Sequence, residues 1–160
     1  MPTQKVTPFL WFKDNAEEAI RFYLSVFEGS RIVSEQRWGE GGFGPKGQLL
    51  TAKIAIGNFE LAVLNTNPEP SFNDSFSLSV SCDTQAEIDR LWTKLTADGG
   101  EPGQCGWLKD KFGVSWQITP SQLPAWFASN DPAKSQRVGQ VMMGMKKLDI
   151  EQLRKAHDGK

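Results

Sequence analysis

The sequence predicts an α+β fold in which two βαβββ modules follow one another and a helical tail completes the chain. A strand-like run followed by a capped amphipathic helix occurs twice. Each helix precedes three further strand-like runs, and the region after residue 120 carries helical patterns. We therefore expect one domain over residues 1–160, made of a first module at 5–67, a second module at 74–120 and a tail at 121–160.

The internal repeat is clearest in the two helices. Residues 12–23 align with residues 81–92, so that Asn15 and Thr84 occupy equivalent positions. Each of these two residues is followed three positions later by glutamate, which is the spacing of a capping box at a helix start. Apolar residues then recur at helical spacing in both copies. The repeat predicts one helix against the sheet of each module.

Strand-like runs account for the rest of both modules. They lie at 8–12, 32–38, 49–56 and 59–65 in the first module and at 76–81, near 101, at 105–109 and at 114–119 in the second. Gly57-Asn58 predicts a tight hairpin turn. In the tail, a short helix is expected at 122–128, and Asp131 and Asp149 are expected to cap two more. The apolar residues of this tail should pack on the body or on a partner subunit.

Composition and charge exclude several classes of function. Eighteen Lys and Arg residues against nineteen Asp and Glu residues leave a formal net charge of −1, which gives no field to hold nucleic acid or an acidic membrane. No apolar run is long enough to cross a membrane. Cys82 and Cys105 lack metal or redox spacing, so we expect a cytoplasmic protein with reduced thiols. The single histidine, His157, is expected to be a solvated residue at a helix end, which argues against histidine-based catalysis.

Several motifs resemble one family. They are residues 7–12 (TPFLWF), 16–19 (AEEA), 103–110 (GQCGWLKD), 113–118 (GVSWQI), 131–134 (DPAK) and 145–149 (MKKLD). They resemble PhnB-like proteins, also labelled demethylubiquinone methyltransferase-like, within the vicinal oxygen chelate superfamily of glyoxalases, bleomycin-resistance proteins and dioxygenases. The resemblance implies the glyoxalase/bleomycin-resistance-like fold, a concave cavity against the sheets and a homodimer. Bare strand edges of open sheets add a physical reason for dimerisation.

The metal positions implied by the resemblance hold unsuitable residues. Metal-using members of the superfamily place ligands on the first and last strands of each module. Transferred to this chain, those positions fall near Pro8, near Ala62 or Glu60, at Ser77 and at Gln117. Proline and alanine side chains cannot coordinate a metal, and serine is a weak ligand. We expect no tightly held metal or cofactor, and a weak divalent metal held by Glu60 and Gln117 stays an alternative.

Alternating residues in the second module predict a polar pocket wall instead. Period-two alternation places Ser77 and Ser79 on one face of a strand, and Gln117 takes the matching face of the last strand. Leu10 and Phe12 are expected to add an apolar wall in the first module. A polar face open to solvent, or one that pairs subunits, is an alternative interpretation of the same pattern.

Three functional hypotheses follow. The first is a protein that binds a small organic molecule through Glu60, Ser77, Ser79 and Gln117 without a tightly held metal. The second is an enzyme of this fold that uses Glu60 as a general base, since a carboxylate buried among apolar groups is suited to that role. A solvated carboxylate on a strand is the alternative interpretation of Glu60. The third, a methyltransferase, is implied by the family label alone.

Two further motifs are predicted to be structural. Residues 39–44 spell G-x-G-x-x-G, but they stand between two strands and do not open a helix, so they predict a loop and no nucleotide site. Cys105 has Lys109 four positions away as its single candidate cationic neighbour. A half-buried structural cysteine is the favoured interpretation.

Overall fold

The chain divides into two compact units, the first ending at Ser71 and the second beginning at Phe72. The structure is a computed structural model that describes residues 4–65 and 70–160. The last two residues of the predicted first module, 66 and 67, lie outside the described residues. Across the described ranges, no helix combines the length and apolar character needed to cross a bilayer.

The first unit is a four-stranded mixed sheet with one helix. Its elements are β1 (Phe9–Phe12), α1 (Ala16–Val26), β2 (Arg31–Arg37), β3 (Leu49–Ile56) and β4 (Phe59–Asn65). The strand order is β1-β4-β3-β2, with β1 parallel to β4 and the other pairs antiparallel. The strands predicted at 49–56 and 59–65 are confirmed at both ends, and Gly57 takes a positive φ of 57° in the turn between them.

The N-terminal cap of α1 differs from the one that the sequence predicts. The side chain of Asn15 makes no cap hydrogen bond. The first helical amide, that of Ala16, instead donates to Oδ1 of Asn65 at 2.9 Å, and Nδ2 of Asn65 donates to the carbonyl of Leu49 at 2.9 Å. An acceptor from the end of β4 therefore replaces the expected local cap, a contact that the local sequence pattern does not encode.

The second unit repeats the same order of elements with shorter strands. These elements are β5 (Leu78–Cys82), α2 (Gln85–Leu95), a single 3₁₀ turn (Ala97–Gly99), β6 (Glu101–Pro102), β7 (Trp107–Lys109) and β8 (Ser115–Pro120). The strand order is β5-β8-β7-β6, with β5 parallel to β8. Here the predicted cap is present, because Thr84 Oγ1 accepts from the amide of Glu87 at 3.2 Å. The α+β fold of two βαβββ modules is confirmed.

The helical tail packs on the second unit. It consists of α3 (Leu123–Phe127), α4 (Pro132–Met143) and α5 (Ile150–Asp158), and Asp131 and Asp149 cap α4 and α5 as predicted. Its apolar cluster of Leu123, Val138, Leu148 and Leu153 is buried. The side chain of Gln85 binds the tail backbone twice, donating to the carbonyl of Leu148 at 3.1 Å and accepting from the amide of Ile150 at 2.9 Å. Of the two expected arrangements, packing on the body is the one observed.

The environment of His157 differs from the solvated helix end that the sequence predicts. The ring is half-buried, and its centroid lies 6.4 Å from that of Trp126. It stays in the last turn of α5, beside the carboxylate of Asp158. The correction concerns packing, because Trp126 of α3 lies beside the imidazole and partly shields it from solvent.

Candidate functional site

Each sheet has one face covered by its helix and one open face. Directly paired residues of neighbouring strands share a face. The open face of the first sheet, called the first open face, therefore consists of two cross-strand rows: Phe9, Ala62, Lys53 and Ser34, and then Trp11, Leu64, Thr51 and Gln36. Phe9 and Trp11 are about half exposed on it.

The expected positions of Leu10 and Phe12 are wrong. These side chains are 2% and 3% exposed and lie in the core of the first unit. The side chains of β1 alternate between the two faces of the sheet as expected, but the buried face and the open face are exchanged. Because α1 covers the face with Leu10 and Phe12, the aromatic side chains that reach the open face are those of Phe9 and Trp11.

The first open face contains a cavity with a charged pair beside it. The cavity has a volume of about 460 Å³, and its lining includes Phe9, Ser34, Thr51 and Lys53. Lys53 Nζ lies 3.4 Å from Glu60 Oε2, and the Glu60 side chain is 31% exposed. Glu60 thus has a cationic partner and access to water, and it is not the carboxylate buried among apolar groups that the general-base hypothesis requires.

The open face of the second sheet, called the second open face, is polar. Ser79, Gln117 and Trp107 form a row across three strands. Gln117 Nε2 donates to Oγ of Ser77 at 2.9 Å, just before β5 begins. The structure therefore brings together three residues that the sequence selected, namely Ser77, Ser79 and Gln117. They form a band of hydroxyl and amide groups with an indole at its end.

A cleft of about 260 Å³ lies in the second unit near this band. Trp107, Lys109, Ser115 and Asp74 are among the residues that line it. Lys109 Nζ lies 2.9 Å from Asp74 Oδ1. By accepting this hydrogen bond, the Asp74 carboxylate raises the pKa of the Lys109 ammonium, since it stabilises the charged form. Each unit thus presents a lysine whose charge is paired by a carboxylate.

The residues at the implied metal positions do not fit a divalent cation. Glu60 is already paired with Lys53, and Gln117 and the serines are neutral donors. In the part of the chain that the structure describes, no three His, Cys, Asp or Glu side chains lie together in an arrangement that could hold a metal ion. A tight site for such a cation needs several carboxylate or carbonyl oxygens.

The glycine-rich segment at 39–44 is a loop between β2 and β3, as predicted. The amide of Trp38 donates to the carbonyl of Gln48 at 2.9 Å, and the amide of Gly47 donates to the carbonyl of Trp38 at 2.8 Å. These bonds close the segment into a strand-to-strand connection. No helix begins there, so its amides are not arranged like those that cradle phosphates in nucleotide-binding folds.

The two cysteines have structural surroundings. Cys82 is buried, and burial raises the pKa of its thiol to about 12, which makes it unreactive. The backbone of Cys105 is tied to the tail, its amide donating to the carbonyl of Met145 at 2.8 Å. Its φ of 58° is in the left-handed region that few side chains occupy. The position of Cys105 is set by this tight turn, which agrees with a structural role.

Sequence reasoning missed four residues of the open faces: Phe9, Trp11, Lys53 and Trp107. Alternation in β1 places Phe9 and Trp11 on one face, but every residue of the strand is apolar, so the pattern does not indicate which face is open. For Lys53, alternation with the apolar Ile54 along β3 gave a usable signal, because a lysine next to a core residue points to the opposite face. Trp107 occupies a strand of three residues, which is too short for a periodic pattern.

Comparison with known proteins identifies relatives of both modules. Residues 4–119 match the family profile described as 3-demethylubiquinone-9 3-methyltransferase. The match ends before the helical tail. No curated protein sequence matches the chain.

Several solved structures resemble the chain. A PhnB protein of Bacillus cereus, described as a 3-demethylubiquinone-9 3-methyltransferase, is 39% identical, with a TM-score of 0.66 over 73% of this chain and 99% of its own. A Pseudomonas aeruginosa protein is 23% identical, with a TM-score of 0.62 over 74% of this chain and 98% of its own. A variant of the fosfomycin resistance protein FosX of Listeria monocytogenes, solved with Mn(II) and a dihydroxypropylphosphonic acid, is 12% identical, with a TM-score of 0.52 over 74% of this chain and 92% of its own. The last two likenesses concern the fold alone.

Proposed function

The chain belongs to the PhnB-like, 3-demethylubiquinone-9 3-methyltransferase family of the vicinal oxygen chelate superfamily. We propose that it binds a small organic molecule against an open sheet face, without a tightly held metal ion. The proposal rests chiefly on the Gln117–Ser77 hydrogen bond on the second open face. Family membership supplies the fold and not the ligand, so the side chains decide which class of ligand can bind.

The second open face offers both directions of hydrogen bonding. The hydroxyl groups of Ser77 and Ser79 donate and accept, and the Gln117 amide keeps its carbonyl oxygen after donating to Ser77. Trp107, which is 38% exposed in the same row, gives a flat apolar surface beside them. A few polar groups next to an aromatic side chain are typical of small-molecule sites.

The first open face supports the same kind of ligand. Phe9 and Trp11 are exposed aromatic side chains there, and Lys53 adds a cation that Glu60 partly neutralises. A surface ion pair at 3.4 Å is weak and opens at small cost. An aromatic or unsaturated molecule with an anionic group therefore has partners for both of its parts on this face.

The test is a fragment screen by ligand-observed NMR with the full chain, using aromatic carboxylic acids, phenols and amides. We expect hits whose binding is lost in Gln117→Ala and kept in Gln152→Ala, which removes the same side chain from the exposed face of α5. The melting temperature of Gln117→Ala should fall by no more than a few degrees, because one half-buried hydrogen bond contributes about 1 kcal/mol. No hits at all, or no hit whose binding is lost in Gln117→Ala, would contradict the proposal.

Three measurements separate this proposal from its alternatives. Elemental analysis of the purified protein should find no stoichiometric divalent metal, and divalent ions should not raise the melting temperature. Calorimetry with S-adenosylmethionine should give no binding heat. Stoichiometric metal would favour the metal-assisted enzyme, and binding of the methyl donor would favour the activity in the family description.

We also propose a homodimer and a cytoplasmic location. The edge strand β2 is exposed along its whole length, including Ile32 and Val33, and such an edge favours pairing with a second copy. Sedimentation should give about twice 17.8 kDa, and a monomer at tens of micromolar would contradict the dimer. Both cysteines are free thiols, which suits a reducing compartment.

A further inference from the structure

The loop between β2 and β3 forms one wall of a second cavity in the first unit. The cavity has a volume of about 480 Å³. Its lining residues are Asp14, Trp38, Phe43, Gly44, Pro45, Gln48, Leu50, Leu64 and Asn65. None of these residues lines the 460 Å³ cavity of the first open face. A volume of this size accommodates a small organic molecule.

Two aromatic rings form a corner of this cavity. The ring centroids of Trp38 and Phe43 are 6.3 Å apart, with an interplanar angle of 82°. A Cβ placed on Gly42 or Gly44 would come within 2.7 Å or 2.3 Å of the Trp38 indole, so only glycine allows the loop to lie against that ring. The loop therefore holds the indole in place while Phe43, between the two glycines, is fully exposed.

The charge beside the corner is negative and largely uncompensated. Asp14 Oδ1 accepts one long hydrogen bond of 3.3 Å, from Nε2 of Gln48, and no ion pair to Asp14 occurs among the described residues. The nearby Arg37 is bound by Glu17 at 2.8 Å and by Glu35 at 3.0 Å. Lys46, on the loop, is paired with Glu40. The basic groups at this end of the sheet thus have partners of their own.

We propose that Asp14, Trp38 and Phe43 form a binding site for a small organic ammonium ion, of the tertiary or quaternary class. Aromatic faces attract such cations through the ring quadrupole, and two rings at a right angle contact two sides of one cation. A carboxylate adds charge neutralisation without needing an N–H donor. Phe43 then has a function that accounts for its full exposure, since it closes over the bound cation.

The experiment titrates the full chain with choline and, separately, with 3,3-dimethylbutan-1-ol, which has the same shape without the charge. Binding is followed through the indole N–H resonance of Trp38. We expect choline to bind in the millimolar range and the neutral alcohol at least about tenfold more weakly. Phe43→Ala and Asp14→Asn should each weaken choline binding about fivefold. Both side chains are exposed, and asparagine tolerates the positive φ of 30° at position 14, so both variants should fold.

Matched controls lie in the second unit. Phe76→Ala removes another exposed phenylalanine, and Asp98→Asn changes another exposed aspartate at positive φ. Both controls should bind choline as the parent chain does. Equal binding of choline and the neutral alcohol, no binding up to 10 millimolar, or unchanged binding in Phe43→Ala would overturn the proposal. These variants leave Gln117 and Ser77 intact, so failure here is distinguishable from failure of the proposed function.

Discussion

The equivalent hairpins of the two units differ in length. In the first unit, β3 and β4 have eight and seven residues and meet at the two-residue turn Gly57-Asn58. In the second unit, β7 and β8 have three and six residues and are joined by residues 110–114. The shorter hairpin has compensating interactions. Asp110 is 2% exposed and accepts hydrogen bonds from the amide of Phe112 at 2.9 Å, from the amide of Val114 at 3.1 Å and from Nε1 of Trp116 at 2.9 Å. The helical tail then packs on the same unit.

One topology can therefore be maintained either by the length of the strand ladder or by anchoring side chains. A long ladder is stabilised by many cross-strand pairs, so its turn needs no special residue beyond the hairpin pair. A short ladder depends on single side chains such as Asp110, and it is therefore more sensitive to a point mutation. The second unit should therefore be destabilised more easily than the first.

Removal of the tail after Pro132 should have the largest effect. It deletes Val138, Leu148 and Leu153, each with no exposed side-chain surface, and it uncovers their partners on the second unit. We expect aggregation, or binding of a hydrophobic dye, together with loss of a cooperative transition in the second unit. A control chain that lacks residues 159 and 160 should behave like the parent. A truncated chain that stays soluble and equally stable in urea denaturation would contradict the prediction.

Asp110→Ala should be the most damaging single change in the hairpins. It leaves three donors without their acceptor, two of them in a buried setting. Unsatisfied buried donors cost about 1–3 kcal/mol each, and because the loop can relax toward water we expect a total of about 3 kcal/mol. Asn58→Ala, in the exposed turn of the first unit, should cost less than about 0.5 kcal/mol. Urea denaturation of both variants measures the difference, and equal losses would remove the distinction between the hairpins.

Local contacts could be predicted from the sequence, whereas contacts between distant residues could not. Thr84 and its capping box act within one turn, so the sequence pattern identifies them, whereas Asn65 caps α1 from 49 residues away and no local pattern points to it. The polar band of Ser77, Ser79 and Gln117 was predictable because alternation assigns faces. Which side chains of β1 face the core was not predictable. Residues Phe9 to Phe12 are all apolar, and only the packing of α1 decides which pair is buried.

The helix caps allow a direct test of local against long-range capping. Asn65→Ala removes the acceptor for the Ala16 amide and the donor to Leu49, and it should cost about 1–2 kcal/mol. Thr84→Ala removes one cap bond and should cost about 1 kcal/mol. Asn15→Ala should be close to neutral, since that side chain makes no cap bond. A larger loss for Asn15→Ala than for Asn65→Ala in urea denaturation would reverse the assignment of the cap.

The smallest expected effect concerns the ion pair that joins the tail to α2. Lys147 Nζ lies 2.6 Å from Asp89 Oδ1, and this contact, followed by the Gln85 amide, lowers the pKa of the Asp89 carboxyl. Because the pKa is lower in the folded state, the pair contributes stability above the pKa of the unfolded chain and loses it as the pH falls through the folded value. Both side chains are more than 40% exposed, so solvent screening limits the contribution to less than about 1 kcal/mol.

Asp89→Asn should therefore be slightly less stable than the parent at pH 7, and the difference should shrink as the pH falls through the lowered pKa of the folded-state carboxyl. High salt at pH 7 should shrink the difference in the same way. Lys147→Met removes the same pair from its other end, so the two substitutions together should cost less than the sum of their separate effects. A stability difference that stays constant as the pH falls through the titration of the carboxyl would contradict the prediction, because it would show that the charge of Asp89 contributes nothing to the stability.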